Sequence, residues 1–238
     1  KVYISYRPLI LDTRVQFTDA IYGTLEGDTY IQEKNYAKIG DAAGIVLHLY
    51  EDYTLNEDIS VANATIITEG NLNLNGHNLT CRNLILSEGS RGTVTMNQGE
   101  TLIIQNMLDI GNHSESGELS HGTIQIGGDL IQRNTGTPDN FVTTDRLKLV
   151  LNGSGGVQYV SFESPEASLA TVEISNTRGG YVKLLTPVTI QELVNTSNTL
   201  IQESRRIEGY KLATDVVYEE DICILGGVMD LNGHTMTV

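Results

Sequence analysis

Tryptophan is absent from the 238 residues, and cysteine occurs only twice, as Cys81 and Cys223. Two thiols do not make a disulfide framework. Each sits among apolar neighbours (Leu79 and Leu84; Ile222 and Ile224), where a thiol behaves as a small hydrophobe. Long apolar runs are missing too. The longest, Ala42–Tyr50, contains His48 and falls well short of the roughly 18 residues that a membrane-spanning helix needs. Membrane insertion is therefore not expected. Basic clusters are equally scarce: the longest is the pair Arg205–Arg206, against a net charge of −15. A surface that acidic repels phosphate backbones, which disfavours nucleic acid and anionic membrane as partners. The plainer role of the acidity is solubility. The chain opens on Lys1 without a signal segment, so a mature, processed or excised piece is expected.

What is present reads as β structure. The apolar positions are mostly Leu, Ile and Val, with Thr and Asn between them and 24 glycines. β-Branched residues suit the pleated surface, and Gly and Asn accept turn dihedrals. Helix-period patterns are almost absent. Short runs alternate with turn residues instead, among them Ile59–Val61, Thr65–Ile67, Leu72–Leu74, Leu84–Leu86, Thr93–Met96, Leu102–Ile104, Leu108–Ile110 and Thr123–Ile126. The series continues through Leu130–Gln132, Leu147–Leu151, Val157–Phe162, Thr171–Ile174 and Tyr181–Leu185. Many alternate with period two, so each strand is expected to bury one face.

The chain also repeats itself. Tyr53–Cys81 aligns without a gap to Tyr210–Val238 at an offset of 157. Tyr53, Leu55, Asp58, Gly70, the run Leu74–His77 (LNGH) and Thr80 are identical in the two segments, and Ile59, Ile67 and Leu72 meet Val216, Ile224 and Met229. A fainter likeness links Val2–Tyr6 to Gln158–Phe162 and Arg14–Asp19 to Thr171–Asn176. These offsets predict three parts: 1–52 ends one unit, 53–209 is a full unit, and 210–238 begins the next.

Two architectures compete for such a pattern. In a right-handed parallel β-helix, short strands recur about every 20 residues and each coil stacks on the one before. In tandem β-sandwiches, strands of similar length pair through hairpins. The β-helix is favoured, because several runs are too short for sandwich strands and tight-hairpin signals are rare. A 157-residue unit then holds some seven coils. Asn75–Gly76 is the exception, since Asn-Gly favours a two-residue hairpin. A hairpin would bring His77 beside Leu74 on the buried face, whereas a solenoid corner leaves it outside. A solenoid cut at Val238 would present an open strand edge, to be covered by an adjoining unit or by self-association.

The segments ITEGNLNLNGHNLTCRNLIL, GGVMDLNGHTMTV and Leu147–Asn176 resemble repeats in large secreted or surface proteins of Gram-positive bacteria. Those repeats are similar to the pectin-lyase-like right-handed β-helix superfamily. The likeness covers 53–238 well and 1–52 faintly, and its motifs mark coil corners. It implies an extracellular, cell-surface setting and no particular activity.

Candidate chemistry is sparse. His77 and His234 share the LNGH position within the corner motifs Asn75–Gly76–His77 and Asn232–Gly233–His234. A metal or general-base role needs partners, and no Cys or carboxylate is expected to recur beside them. His113, Glu115, Glu118 and His121 lie in an acidic Ser/Gly-rich stretch and form a candidate Zn²⁺ set, since imidazole and carboxylate suit that ion. A solvated loop is the plainer explanation. Glu51–Asp52, Glu57–Asp58 and Glu219–Asp221 lack the spacing of a Ca²⁺ loop, and the first two are not matched in the following unit. The acid, Gly-His-Gly and Arg-Ile-Lys sets of polygalacturonase-like enzymes are missing, as are a nucleophile elbow and a phosphate loop. No enzyme and no cofactor are expected. Tyr3, Tyr6, Tyr22, Tyr30, Tyr36, Tyr50 and Tyr53 crowd the first quarter, as a glycan-stacking surface or as packing. The functional expectation is a structural and adhesive repeat region. Binding of a polysaccharide, with or without cleavage, and the shell of a toxin-like protein are the alternatives.

Overall fold

A strand with one apolar face has to lay that face on another layer, and in a solenoid the layer is the opposite wall of the same coil. The computed structural model describes residues 2–4, 21–25, 45–49, 52–86, 92–111, 121–133, 146–163, 168–186, 188–196, 201–202, 209–212, 215–217 and 228–237. Every regular element among them is a strand. Every strand pairing among them is parallel. The chain is a parallel β-solenoid. No antiparallel hairpin joins the described strands, so the sandwich alternative falls.

The coils stack in register. One inward row runs Ile59, Leu79, Leu102, Ile124, Leu149, Val172 and Leu193, each paired with the next, with 20 to 25 residues from rung to rung. A second row runs Ile66, Leu84, Leu108, Leu130, Val160 and Leu184. Tyr53, Leu72 and Val94 form a third on a separate small sheet. No side chain in the first two rows is more than 4% exposed. Each such Leu, Ile or Val contributes about 1.5–3 kcal/mol by leaving water. The core is therefore a set of ladders running along the axis.

Two pairs of short runs turn out to be single strands, and the run Leu84–Leu86 belongs to a longer one. Ile59–Thr68, Leu79–Leu86 and Thr101–Ile110 continue through polar stretches that the pattern assigned to breaks. The pairing register shifts between Val61 and Thr65 and between Cys81 and Asn83. A bulge of this kind resets which side chains point inward without ending the strand. Asn63, Arg82, Gln105 and Asn106 are exposed at these bends.

Close stacking leaves little room at some corners. A Cβ on Gly128 would lie 1.8 Å from the backbone oxygen of Asn106 in the preceding rung. Only glycine lets the two corners approach that closely.

Candidate functional site: the repeated histidine corner

The corner begins with backbone chemistry. Asn75 and Gly76 both have positive φ, +48° and +88°, and the His77 N–H donates to the Leu74 carbonyl at 2.9 Å. These are the features of the mirror-image turn that hairpins favour. Here it joins Asn71–Asn73 to Leu79–Leu86, which belong to different sheets. The turn therefore makes a solenoid corner. The second copy folds alike: Asn232 and Gly233 have φ of +49° and +81°, and the His234 N–H meets the Leu231 carbonyl at 2.7 Å. Asn73 Oδ1 accepts the Asn75 N–H at 2.9 Å, and Asp230 Oδ1 accepts the Asn232 N–H at 2.8 Å.

Each histidine has a carboxylate from the rung before it. His77 Nδ1 lies 3.6 Å from Asp58 Oδ1, and His234 Nδ1 lies 3.5 Å from Asp215 Oδ1. Asp58 Oδ1 also accepts the Asn78 backbone N–H at 2.8 Å, and Asp215 Oδ1 accepts that of Thr235 at 2.8 Å. The expectation that no carboxylate recurs beside the histidines is overturned. Asp58 also has a counterpart in Asp215, so the Glu57–Asp58 pair is matched in part. Coil stacking, which adjacency along the chain does not display, brings these residues together.

The electrostatics are those of a surface. The Asp58 carboxyl is held below its ordinary value, first by the Asn78 backbone N–H and then by the Asn78 side chain and His77, against an opposing desolvation cost. The aspartates are 67% and 75% exposed and the histidines about a third exposed. The side chain after each histidine differs, Asn78 in one copy and Thr235 in the other. What recurs is thus a cross-rung backbone bond with an imidazole beside it, and no hydroxyl nucleophile recurs with it. Such an arrangement binds rung to rung.

A buried carboxylate completes the first copy. Glu100, 3% exposed, accepts N–H groups from Gly76 and Asn97 through its two oxygens, as well as the Asn97 side-chain amide. The next rung thereby clamps the corner from above.

The remaining candidates separate. His113, Glu115 and Glu118 lie outside the described residues. His121 Nε2 faces the Arg146 guanidinium at 3.2 Å, which sets a positive charge where a metal ion would have to approach. Among the described residues, no three His, Cys, Asp or Glu side chains gather into a metal-holding group. Glu51 and Glu219–Asp221 also lie outside the description, while Asp52 accepts the Asn71 N–H at 2.8 Å. Tyr53 is buried, so it offers no stacking face; Tyr159 is 41% exposed. Of the other tyrosines in that cluster, Tyr6, Tyr30, Tyr36 and Tyr50 lie outside the described residues. Cys81 is fully buried, and Cys223 lies outside the described residues.

Two features escaped the sequence analysis. Asp109 and Arg133 pair bidentately at 2.8 and 2.7 Å across adjacent rungs. Inside the core, Gln158 and Asn176 form an amide pair. The signal for the first was an acid inside the apolar strand Thr101–Ile110; nothing local marked the second. Compared with known proteins, the chain matches no family model, no curated protein and no solved structure.

Proposed function

We propose that this chain is a structural and adhesive repeat region of a bacterial extracellular surface protein, of the pectin-lyase-like β-helix kind. Its proposed units are 1–52, 53–209 and 210–238, and its proposed contacts are adjoining units or further copies at the solenoid ends. One observation carries the reading. The corner at Asn75–His77 and its cross-rung aspartate recur at Asn232–His234 with the same bonds, 157 residues later. A unit that re-enters its own register extends an array without a break, so length grows with unit number.

Rigidity follows from the same bonds. Parallel rungs about 4.8 Å apart are tied along their length by backbone bonds, and the apolar ladders resist bending. A shaft of this kind holds attached domains away from a cell envelope and presents a long side face for contact. Small-angle scattering of proteins with one, two and three units tests this. A maximum dimension that rises in equal steps is expected; a compact particle whose size follows the cube root of mass would sink the proposal.

A second reading, polysaccharide binding on the side face, has Tyr159 in its favour. Its exposed ring lies in register with Lys183, and Tyr181 is the partner of Val157 on the same pair of strands. An aromatic face beside a cation suits a sugar ring. Pull-down with cell-wall and plant polysaccharides, lost in Tyr159→Ala, is the expected result. Retention of no polysaccharide would remove this reading.

A further inference from the structure

We infer that Asn75–Gly76 is a site of spontaneous covalent modification, in which the asparagine cyclises onto the following amide nitrogen, and that Glu100 of the next rung holds the site unreacted.

Asparagine side chains are chemically labile, and glycine obstructs this reaction least, since it has no Cβ. The Gly76 nitrogen forms a bond to Asn75 Cγ, and the Cγ–Nδ2 bond breaks. Ammonia leaves, taking up the proton that the Gly76 nitrogen gives away. Water, the only co-reactant, then opens the succinimide ring to aspartate or isoaspartate. The isoaspartate product routes the main chain through the side-chain carbon and lengthens the turn by one atom. The bond from the His77 N–H to the Leu74 carbonyl, which closes the corner, no longer fits that longer path.

Both reacting residues are exposed, and a Cβ on Gly76 would meet nothing within 4 Å. Their restraint comes from the neighbouring rungs. On one side Asn75 Nδ2, the leaving group, donates to the Leu55 carbonyl at 3.1 Å. On the other the Gly76 N–H, the nucleophile, donates to Glu100 Oε1. Glu100 is 3% exposed, and its second oxygen accepts the Asn97 N–H at 2.6 Å, so the carboxylate is fixed in place. A charged acceptor makes the stronger class of hydrogen bond. Its negative charge also opposes the charge that the nitrogen acquires as its proton leaves.

Asn152–Gly153 carries the same residue pair in another setting. Gly153 is buried, and its N–H donates to Gln158 Oε1 at 3.3 Å. A Cβ there would lie 2.9 Å from Asn176 Nδ2, so ring closure has little room. Glu100 takes no part in these bonds. Conversion at Asn152 therefore reports opening of the solenoid as a whole.

The test incubates the full chain in mildly alkaline buffer as wild type, Glu100→Ala and Glu100→Gln. Amide-to-acid conversion at Asn75 and Asn152 is followed by peptide mass spectrometry. In Glu100→Ala, Asn75 is expected to convert about tenfold faster or more, the ratio set by loss of a charged hydrogen bond, while Asn152 keeps its rate. Glu100→Gln retains an oxygen acceptor without the charge and should fall between the other two. Unchanged or slower conversion at Asn75 in Glu100→Ala would overturn the role given to Glu100, and no conversion at Asn75 in any of the three would overturn the site. If both asparagines accelerate together in Glu100→Ala, the Gln variant decides. A rise there confined to Asn75 supports the proposal, and a shared rise or none overturns it.

Discussion

The Asn176 side-chain amide donates to Gln158 Oε1 at 3.0 Å inside the solenoid, with both residues at most 5% exposed. Gln158 in turn donates to the Ile126 carbonyl at 2.8 Å and accepts the Gly153 N–H at 3.3 Å. One side chain thus ties three rungs together where the corner interrupts the strand bonds. A buried polar group left without its partner costs about 1–3 kcal/mol. Gln158→Leu strands the Gly153 N–H and the Asn176 amide, so a stability loss of about that size is expected in urea unfolding. An unchanged midpoint would show the network to be idle.

Glycine at the Gly127–Gly128 corner is a matter of space. Gly128→Ala sets a methyl against the Asn106 backbone, an atom that no flexible side chain can yield. Overpacking of this sort costs about 1–3 kcal/mol, and the upper end is expected. Gly155→Ala differs, because a Cβ there meets nothing within 4 Å and only the φ of +72° opposes it. Its cost is the left-handed backbone penalty of about 1–2 kcal/mol. Thermal unfolding of the two variants should rank them in that order; the reverse order would contradict the close stacking.

Acid should loosen the histidine corner. The folded Asp58 carboxyl lies below its ordinary 3.8 because the charged form accepts the Asn78 N–H. A depressed carboxylate contributes stability that is present above the ordinary value and is lost as pH falls through the folded one. The corner is therefore expected to hold above about pH 4 and to weaken below it. Titration of the Asp58 carboxyl carbon by NMR should give a midpoint under 3.8. Asp58→Ala should remove this share of the acid sensitivity, and a midpoint above the ordinary value would contradict the cross-rung bond.

Cys81 is expected to be inert while the solenoid is folded. Burial among the apolar ladder pushes its thiol up to about 12, so little thiolate exists at neutral pH. In a Cys223→Ser background, an aromatic disulfide reagent at pH 8 should label Cys81 only as fast as the chain opens. Denaturant should restore full reactivity. Rapid labelling under native conditions would place Cys81 outside the core.

Much of the fold was legible in the residues. Alternating apolar positions located most strands, and the 157-residue offset located the matching corners, because period and identity are local properties of a chain. The merged strands were not legible. Asn63, Arg82 and Asn106 are polar, which reads as a break, yet a bulge lets an extended backbone carry them on the outside. The aspartate beside each histidine was missed for a different reason. Asp58 and His77 are distant along the chain, and only the coil length brings one above the other.

The sequence by itself determined a β-rich, tandemly repeated chain with outward corners at Asn75–His77 and Asn232–His234. Side-chain period and turn dihedrals are set by neighbouring residues, so a linear pattern suffices for them. The tertiary structure alone decided that the strands pair in parallel, that Glu100 clamps Gly76, and that Asp109 meets Arg133. Those relations belong to residues a full coil or more apart. Backbone bonds and apolar burial settle them together, when one rung finds its register on the next.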